Sequence, residues 1–206
     1  MERRMPLVVS HYTMGTGYEE EVKHLEASLK SHNLDYKLQG IPSAGTWRAN
    51  SNYCAIQVQE MLLTTDRDIL RVDADARFQQ FPSLFLQDDF NADIAAVIYD
   101  FPWHHNELMG GTLFFRNNDR VKRFVDQWAR LCCADKPTER PGDLLDFMFR
   151  QGQEFHNFVS FATLPPTYCK IFDKMDDVTD PPVIEHFQAS RRFKRIVNQA
   201  GRLSQK

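Results

Sequence analysis

The sequence predicts a single α/β domain built on a mixed, mostly parallel sheet with helices on both faces. Two observations lead to this prediction. Short apolar runs alternate along the chain with segments whose apolar side chains recur every three or four residues. The 206 residues also have the length of one domain, and no repeat, low-complexity stretch or linker divides them. We therefore interpret residues 1–206 as one domain, with a basic C-terminal tail from about residue 190.

The first half of the chain contains the first three strands and two helices. Residues 7–11 are a short apolar strand ending at a glycine-containing loop, and a helical pattern with apolar positions follows over 18–29. A second strand is expected at 35–38 and a second helix at about 50–64. The run 69–72 is apolar at three of four positions and predicts a buried strand.

The second half continues the alternation. Asn118 is a good N-cap, and Pro141 with Gly142 is a typical helix start. In chain order, the expected elements are strands at 92–98 and 110–116, helices from Asn118 and from Pro141, and strands at 158–164 and 183–187. Such sheets bind ligands beyond the C-terminal ends of their strands.

Composition and charge exclude several classes of protein. Lys and Arg total 25 against 28 Asp and Glu, a formal charge of −3, whereas nucleic-acid binders usually have a basic excess. No window approaches the roughly 18 uninterrupted apolar residues of a transmembrane helix, and the first residues read as a strand rather than a secretion signal. The four cysteines have neither C-x-x-C nor zinc-site spacing. We expect a reducing, cytoplasmic setting.

The most specific feature is the triplet Asp73-Ala74-Asp75, directly after the apolar strand 69–72. In an extended chain, residues i and i+2 project to the same side, so both carboxylates can face one point. Mg²⁺ and Mn²⁺ are typically held by one or two carboxylates and completed by waters and phosphate oxygens. Acidic triplets also occur by chance in surface loops, but such a loop would not need the apolar strand before it. The triplet therefore indicates a site for Mn²⁺ or Mg²⁺.

The stretch 69–78 resembles the metal-binding DxD segment of GT-A fold glycosyltransferases, which use nucleotide-diphosphate sugars. Stretches 8–13, 111–117 and 182–190 resemble the same family in the same order, and small viral and bacterial members are the most similar. The resemblance implies a single-domain GT-A fold and transfer of a sugar from a nucleotide-diphosphate donor, with UDP-sugars favoured. The acceptor would be a hydroxyl of a glycan or a small molecule.

The resemblance also implies how the metal is held. A divalent cation on the diphosphate is a Lewis acid that stabilises the charge developing on the leaving group. By resemblance, Asp75 is the surer ligand and Asp73 is shared between the metal and the donor. His186, at the end of the predicted strand 183–187, would complete the metal shell, although lone histidines are usually surface or core residues.

The residues after His186 match the family incompletely. Some families with a histidine ligand carry H-x-x-G-x-x-K, whose lysine contacts the diphosphate. The same spacing here gives His186, Ala189 and Arg192, two departures from that pattern. A phosphate contact by Arg192 or the neighbouring Arg191 is therefore a hypothesis, and a solvated basic tail is the alternative.

Residues near the first strand would bind the nucleoside by resemblance. Thr13 could hydrogen-bond the base or ribose, and Tyr18 could stack or pack nearby. Trp47 and Arg48 match a region that often lies over the donor. The alternatives are a plain turn at Thr13 and a core position for Trp47. Family members often have a basic residue in the following helix, but residues 51–54 contain none.

Other residues would lie near the sugar and the acceptor. Gly111 and Thr112 are assigned to the donor, because the lack of side-chain bulk over 110–112 permits close approach of a sugar; a β-bulge is the alternative for the two glycines. Ala74, inside the DxD triplet, is assigned to the donor as well. Asp143 matches the place where many GT-A enzymes have an acidic residue near the acceptor. It is the candidate catalytic base if the enzyme inverts, and a helix cap otherwise.

Three alternatives stay open. A nucleotidyltransferase uses a related sheet, but it usually needs a basic glycine-rich loop after the first strand, and no Lys or Arg lies between Thr13 and Glu21. A haloacid-type phosphatase has its D-x-D at the first strand, where this chain has His11 and Thr13. A non-catalytic module that binds nucleotide or sugar is the third alternative.

Overall fold

The computed structural model describes residues 3–102, 104–133, 141–151 and 159–193. These residues form helices, strands and two short 3₁₀ turns. The helices are α1 (Tyr18–Ser31), α2 (Trp47–Thr64), α3 (Asp119–Cys132) and α4 (Pro141–Gln151). The strands are β1 (Leu7–Thr13), β2 (Tyr36–Ile41), β3 (Ile69–Val72), β4 (Ala76–Phe78), β5 (Ile94–Phe101), β6 (His104–Phe115), β7 (Phe161–Thr163), β8 (Lys170–Ile171) and β9 (Ile184–His186).

The main sheet in the described residues has the strand order β2-β1-β3-β6-β5-β7. β1 pairs in parallel with β2 and β3, β5 pairs in parallel with β7, and β6 runs antiparallel to both β3 and β5. The predicted mixed, mostly parallel sheet is confirmed. Because β1, β2 and β3 are parallel, their C-terminal ends at Thr13, Ile41 and Val72 lie on one edge, where such sheets bind ligands.

Helices cover both faces of this sheet, as predicted. Neighbouring strand residues point to opposite faces, so Val8 and Phe114 belong to one apolar core, whereas Val9 and Phe115 belong to the other. α1 packs on the first face and α2, α3 and α4 on the second, where the fully buried Trp128 stacks on Phe115.

A second, three-stranded sheet has the order β4-β9-β8 and was not predicted. β9 matches the strand predicted at 183–187, but β4 and β8 have three and two residues, too few for a hydrophobic period to mark them in the sequence. β4 pairs antiparallel with β9, which sets Ala76 opposite His186. This small sheet, rather than the main one, carries His186 to the end of β3.

The remaining differences from prediction concern element ends. α2 begins at Trp47 because the Thr46 hydroxyl accepts a hydrogen bond from the Ala49 amide at 3.1 Å. β6 starts at His104, six residues earlier than expected, because it follows β5 across a hairpin. The start of the strand expected at 158, and the basic tail beyond 193, lie outside the described residues. In the part of the chain described, no helix is both long and apolar enough to cross a membrane.

Candidate metal and donor site

Asp73, Asp75 and His186 lie together at the C-terminal end of β3. Each offers a ligand atom, and these atoms lie within 4.8 Å of one another. A tight turn after β3 positions the two carboxylates: the Asp73 amide donates to Gly111 O at 2.9 Å, and the Ala76 amide donates to Asp73 O at 3.0 Å. The backbone thus brings the three predicted metal ligands to one point.

One oxygen of Asp75 indicates a bound cation most directly. Oδ2 accepts a hydrogen bond from the Ala189 amide at 2.7 Å, but the buried Oδ1 has no hydrogen-bond partner among the described residues. Oδ1 instead faces His186 Nδ1 at 3.7 Å, too far for a hydrogen bond and suitable for two ligands of one ion. Leaving a buried carboxylate oxygen without a hydrogen bond is costly, so the geometry fits a divalent cation between these atoms.

The protonation states of this pair are linked. Burial alone would lower the pKa of His186, but Cys169 and Asp75 hold that pKa well above its usual value. Burial alone would raise the pKa of Asp75, but His186 and the Ala189 amide hold it below its usual value. Each group therefore favours the charged form of the other. A cation that binds here competes with a proton for the His186 imidazole.

Thr112 and Gly111 hold the His186 ring in place. The Thr112 hydroxyl lies 2.9 Å from His186 Nε2, so the other ring nitrogen is the one that faces Asp75. A Cβ at Gly111 would lie 2.9 Å from the ring carbon Cε1 and 3.1 Å from Cys169 Sγ. Both residues, predicted to approach the sugar, thus lie against the metal site.

A cavity of about 230 Å³ opens beside this cluster. Asp73 and His186 form part of its wall, and the predicted base Asp143, in the first turn of α4, lines it as well. The remaining lining mixes polar side chains such as Arg71 and Glu107 with apolar ones, including Trp47, Phe101, Met109, Leu113 and Trp128. Apolar walls with a few convergent polar groups are typical of ligand sites.

A second cavity of about 100 Å³ adjoins the first and contains most of the predicted nucleoside residues. Thr13, Tyr18, Trp47 and Ala74 line it, together with both carboxylates of the triplet. The indole Nε1 of Trp47 donates to the Tyr18 hydroxyl at 3.2 Å, which fixes both rings at the cavity wall. Burial raises the pKa of Tyr18, so its hydroxyl stays protonated.

His11 is a buried polar residue in the same wall. Its Nε2 lies 3.0 Å from the Asn50 carbonyl, and its Nδ1 has no partner in the described part of the chain. Burial lowers the pKa of His11 to about 3, with a further contribution from Arg71. His11 is therefore a neutral wall residue.

The other predicted cations lie away from both cavities. Arg48, on the first turn of α2, does not line either one. Arg191 pairs with Asp173 at 2.6 Å, and the exposed Arg192 lies 3.9 Å from Glu21. The phosphate contacts proposed for Arg191 and Arg192 stay hypotheses.

Sequence reasoning missed Arg71 as a site residue. It is 6 % exposed, bonds to Asp73 and lines both cavities. The sequence feature that could have identified it is its position as the one charged residue in the apolar run Ile69–Val72. Gln188 and Ser190, after β9, also line both cavities without having been predicted.

Comparison with known proteins identifies the fold. No protein-family model and no curated protein sequence matches the chain. Solved glycosyltransferase structures do match. One is the glycosyltransferase involved in glycosylation of the major capsid of PBCV-1, with a TM-score of 0.68, 14 % identity and coverage of 96 % of this chain and 98 % of that one.

Two further matches support the same assignment. The glycosyltransferase GlyE of Streptococcus pneumoniae TIGR4 has a TM-score of 0.60 and 15 % identity, covering 96 % of this chain and 61 % of that one. The galactosyltransferase LgtC, solved with donor and acceptor sugar analogs, has a TM-score of 0.55 and 9 % identity, covering 94 % and 96 %. The chain has the GT-A glycosyltransferase fold, as predicted.

Proposed function

We propose that this chain is a metal-dependent glycosyltransferase that moves a sugar from a nucleotide-diphosphate donor, preferably a UDP-sugar, to an acceptor hydroxyl. The observation that carries the proposal is the buried Asp75 Oδ1, which has no hydrogen-bond partner among the described residues and faces His186 Nδ1 at the junction of two cavities. The GT-A fold supports it, since the three solved structures compared above are glycosyltransferases.

The donor would span the two cavities. The nucleoside occupies the smaller one against Thr13, Tyr18 and Trp47, and the sugar enters the larger one. The diphosphate then lies beside Asp73 and Asp75. The bound Mn²⁺ or Mg²⁺ supplies Lewis-acid stabilisation of the leaving diphosphate. Two carboxylates and one imidazole suit either ion, and the imidazole favours Mn²⁺.

Asp143 is the proposed acceptor-side base. It lines the larger cavity, so an acceptor hydroxyl in that cavity can approach its carboxylate. This role applies if the reaction inverts the anomeric centre. The apolar lining around it suits the face of a sugar ring or a small apolar acceptor.

Two alternatives have less support. A nucleotidyltransferase would need basic groups in the loop after β1, and that loop has none up to Glu21. A non-catalytic binding module would not need the unpaired carboxylate oxygen of Asp75, although a nucleotide-binding module could retain it.

Free, buried Cys54, Cys132 and Cys169 support the predicted reducing, cytoplasmic setting.

The first prediction tests the activity. Wild-type protein with Mn²⁺ and a panel of UDP- and GDP-sugars should release nucleotide diphosphate. Asp75→Asn should slow this release about 100-fold or more, because the neutral amide no longer holds the cation that stabilises the leaving group. Release is measured by a coupled assay and product by mass spectrometry.

Glu185→Gln is the matched control. Glu185 is adjacent to His186 but bonds to Gln79 at 2.8 Å outside both cavities, so the control should keep wild-type activity. Metal-linked UDP binding without turnover of any donor would favour the binding module. Failure to bind, hydrolyse or transfer any nucleotide sugar would overturn the proposed function.

A further inference from the structure

Arg71 is a buried cation in an apolar strand. Its neighbours Ile69, Leu70 and Val72 are fully buried in the two cores, whereas the Arg71 side chain, 7 % exposed, reaches the wall shared by the two cavities. Taking a guanidinium out of water is expensive unless partners replace the lost hydration. A buried arginine at this place therefore needs bonding partners.

The partners in the described residues satisfy only part of its bonding capacity. Nη1 donates to Gly110 O at 2.7 Å, and Nη2 bonds to Asp73 Oδ1 at 2.6 Å. Nε is buried without a partner in the described part of the chain, so a ligand cannot reach it. A guanidinium has five N–H donors, so the second N–H of Nη1 and that of Nη2 remain for oxygens of a bound ligand. Arg71 lines both cavities, so a ligand in either one can approach its guanidinium.

Arg71 is also the one arginine or lysine, among the described residues, that lines either cavity. The α2 residues in the cavity walls, Trp47, Ser51 and Cys54, carry no positive charge. Arg191 and Arg192 lie beside Asp173 and Glu21 instead. A phosphate group held here would therefore meet one fixed cation of the described chain.

The charge balance indicates what this cation does. Asp73 and Asp75 offset the charge of a divalent ion, and Glu107 and Asp143 add negative charge to the wall of the larger cavity, so without Arg71 the loaded site would offer an incoming anion no net attraction. Arg71 leaves one positive charge in a desolvated place, where electrostatic attraction is stronger than in water. The same charge disfavours binding of a metal ion alone. Arg71 should thus have opposite effects on the metal ion and on the diphosphate.

We propose that Arg71 is a donor-binding residue that contacts the diphosphate oxygens between the nucleoside and the sugar, through N–H groups not used by Asp73 and Gly110. The assignment rests on the proposed function. It adds that nucleotide affinity depends on the charge of a β3 side chain rather than on a basic residue of α2. Arg71 also orients Asp73, because one carboxylate oxygen is bonded to the guanidinium.

The test compares Arg71→Met with Arg71→Lys. Calorimetry with UDP in saturating Mn²⁺ should give a 10- to 100-fold weaker Kd for Arg71→Met, the usual effect of losing charge-assisted hydrogen bonds. Mn²⁺ alone, followed by electron paramagnetic resonance, should bind Arg71→Met at least as tightly as wild type. Arg71→Lys should retain most of the UDP affinity, because it keeps the charge.

The matched control is Arg116→Met. Arg116 bonds the carbonyls of Ala92 and Phe90 at the opposite edge of the sheet, so its loss should leave UDP affinity unchanged. If Arg71→Met also loses Mn²⁺ binding, the Arg71→Lys variant decides between the explanations. A UDP affinity of Arg71→Lys near that of wild type supports the assignment. A UDP affinity as poor as that of Arg71→Met overturns it.

The outcomes separate the two proposals. Wild type that binds UDP with Mn²⁺, and an Arg71→Met variant that binds it equally well, would overturn the role of Arg71 and leave the proposed function intact. Wild type that binds neither UDP nor Mn²⁺ would overturn the proposed function, and the assignment of Arg71 with it.

Discussion

At the scale of single residues, His186 can offer a metal ion only one ring nitrogen, and Thr112 determines which. Nε2 lies 2.9 Å from the Thr112 hydroxyl, and Nδ1 faces Asp75 Oδ1. When Nε2–H donates to Thr112, the lone pair of Nδ1 is available to the cation. Such a partner on the second nitrogen fixes both the tautomer and the orientation of a ligating imidazole.

The prediction for Thr112 follows from this contact. Thr112→Val keeps the shape of the side chain but removes the hydroxyl, so Nε2–H loses its acceptor and the Nδ1–H tautomer gains population. We expect Mn²⁺ affinity to fall about 10- to 100-fold, the usual effect of removing such a partner. Metal titration measures the affinity, and ¹⁵N shifts of the imidazole report the tautomer.

Thr112→Ser is the control for this prediction, because it restores the hydroxyl without the methyl group. It should keep both the affinity and the tautomer of wild type. Equal Mn²⁺ affinity in Thr112→Val and wild type, with unchanged ¹⁵N shifts, would show that the hydroxyl does not orient the ring.

From the sequence, site residues can be proposed where their chemistry marks them. Asp73 and Asp75 follow an apolar strand at a spacing suited to one cation, and the structure places His186 beside them. Arg71 was missed because local pattern cannot tell which way a charged side chain leaves a buried strand. Thr112 was predicted near the donor, and its contact with His186 depends on residues 74 positions apart.

At the scale of elements, the segment 187–193 after β9 links the metal site to the first loop. The Phe187 and Ala189 amides bond to Asp75 O and Oδ2 at 3.2 and 2.7 Å. At its other end, the ring of Phe193 packs against Tyr18 with centroids 5.2 Å apart. A Cβ on Gly17 would overlap that ring, so glycine permits the close approach.

The prediction for this segment uses Gly17→Ala. Gly17 has φ −61°, so alanine brings no backbone strain and acts only by displacing Phe193. Overpacking costs about 1–3 kcal/mol, which the segment can avoid by moving away from Asp75. We expect the affinity for Mn²⁺ and UDP to fall by up to roughly 30-fold, since about 2 kcal/mol corresponds to that factor.

Phe193→Ala provides the test of mechanism. In that background the overlap is absent, so adding Gly17→Ala should have no further effect on calorimetric affinity. The same loss in both backgrounds would contradict a link through the Phe193 ring.

Prediction of elements depended on their length. α1, α3 and the central strands have clear apolar periods and were predicted near their observed bounds. β4 and β8, with three and two residues, form because β9 pairs with both of them. The pairing of β4 with β9 joins segments about 110 residues apart, so no local signal specifies it.

At the scale of the whole molecule, the fold creates a local site for an anionic donor in a chain whose net charge is negative. The net charge is −3, so an anionic donor gains nothing from the overall field. The end of β3 brings Asp73, Asp75, His186 and Arg71 together beside two cavities. The C-terminal ends of the parallel strands thus provide the local attraction for an anion that the composition as a whole does not.

The most direct test of the metal and donor site is anomalous diffraction from crystals soaked with Mn²⁺ and UDP. The account predicts a manganese peak about 2 Å from both Asp75 Oδ1 and His186 Nδ1, with the diphosphate beside it and the uridine toward Thr13 and Tyr18. Bound UDP without manganese at that position, or a manganese peak elsewhere in the molecule, would contradict it.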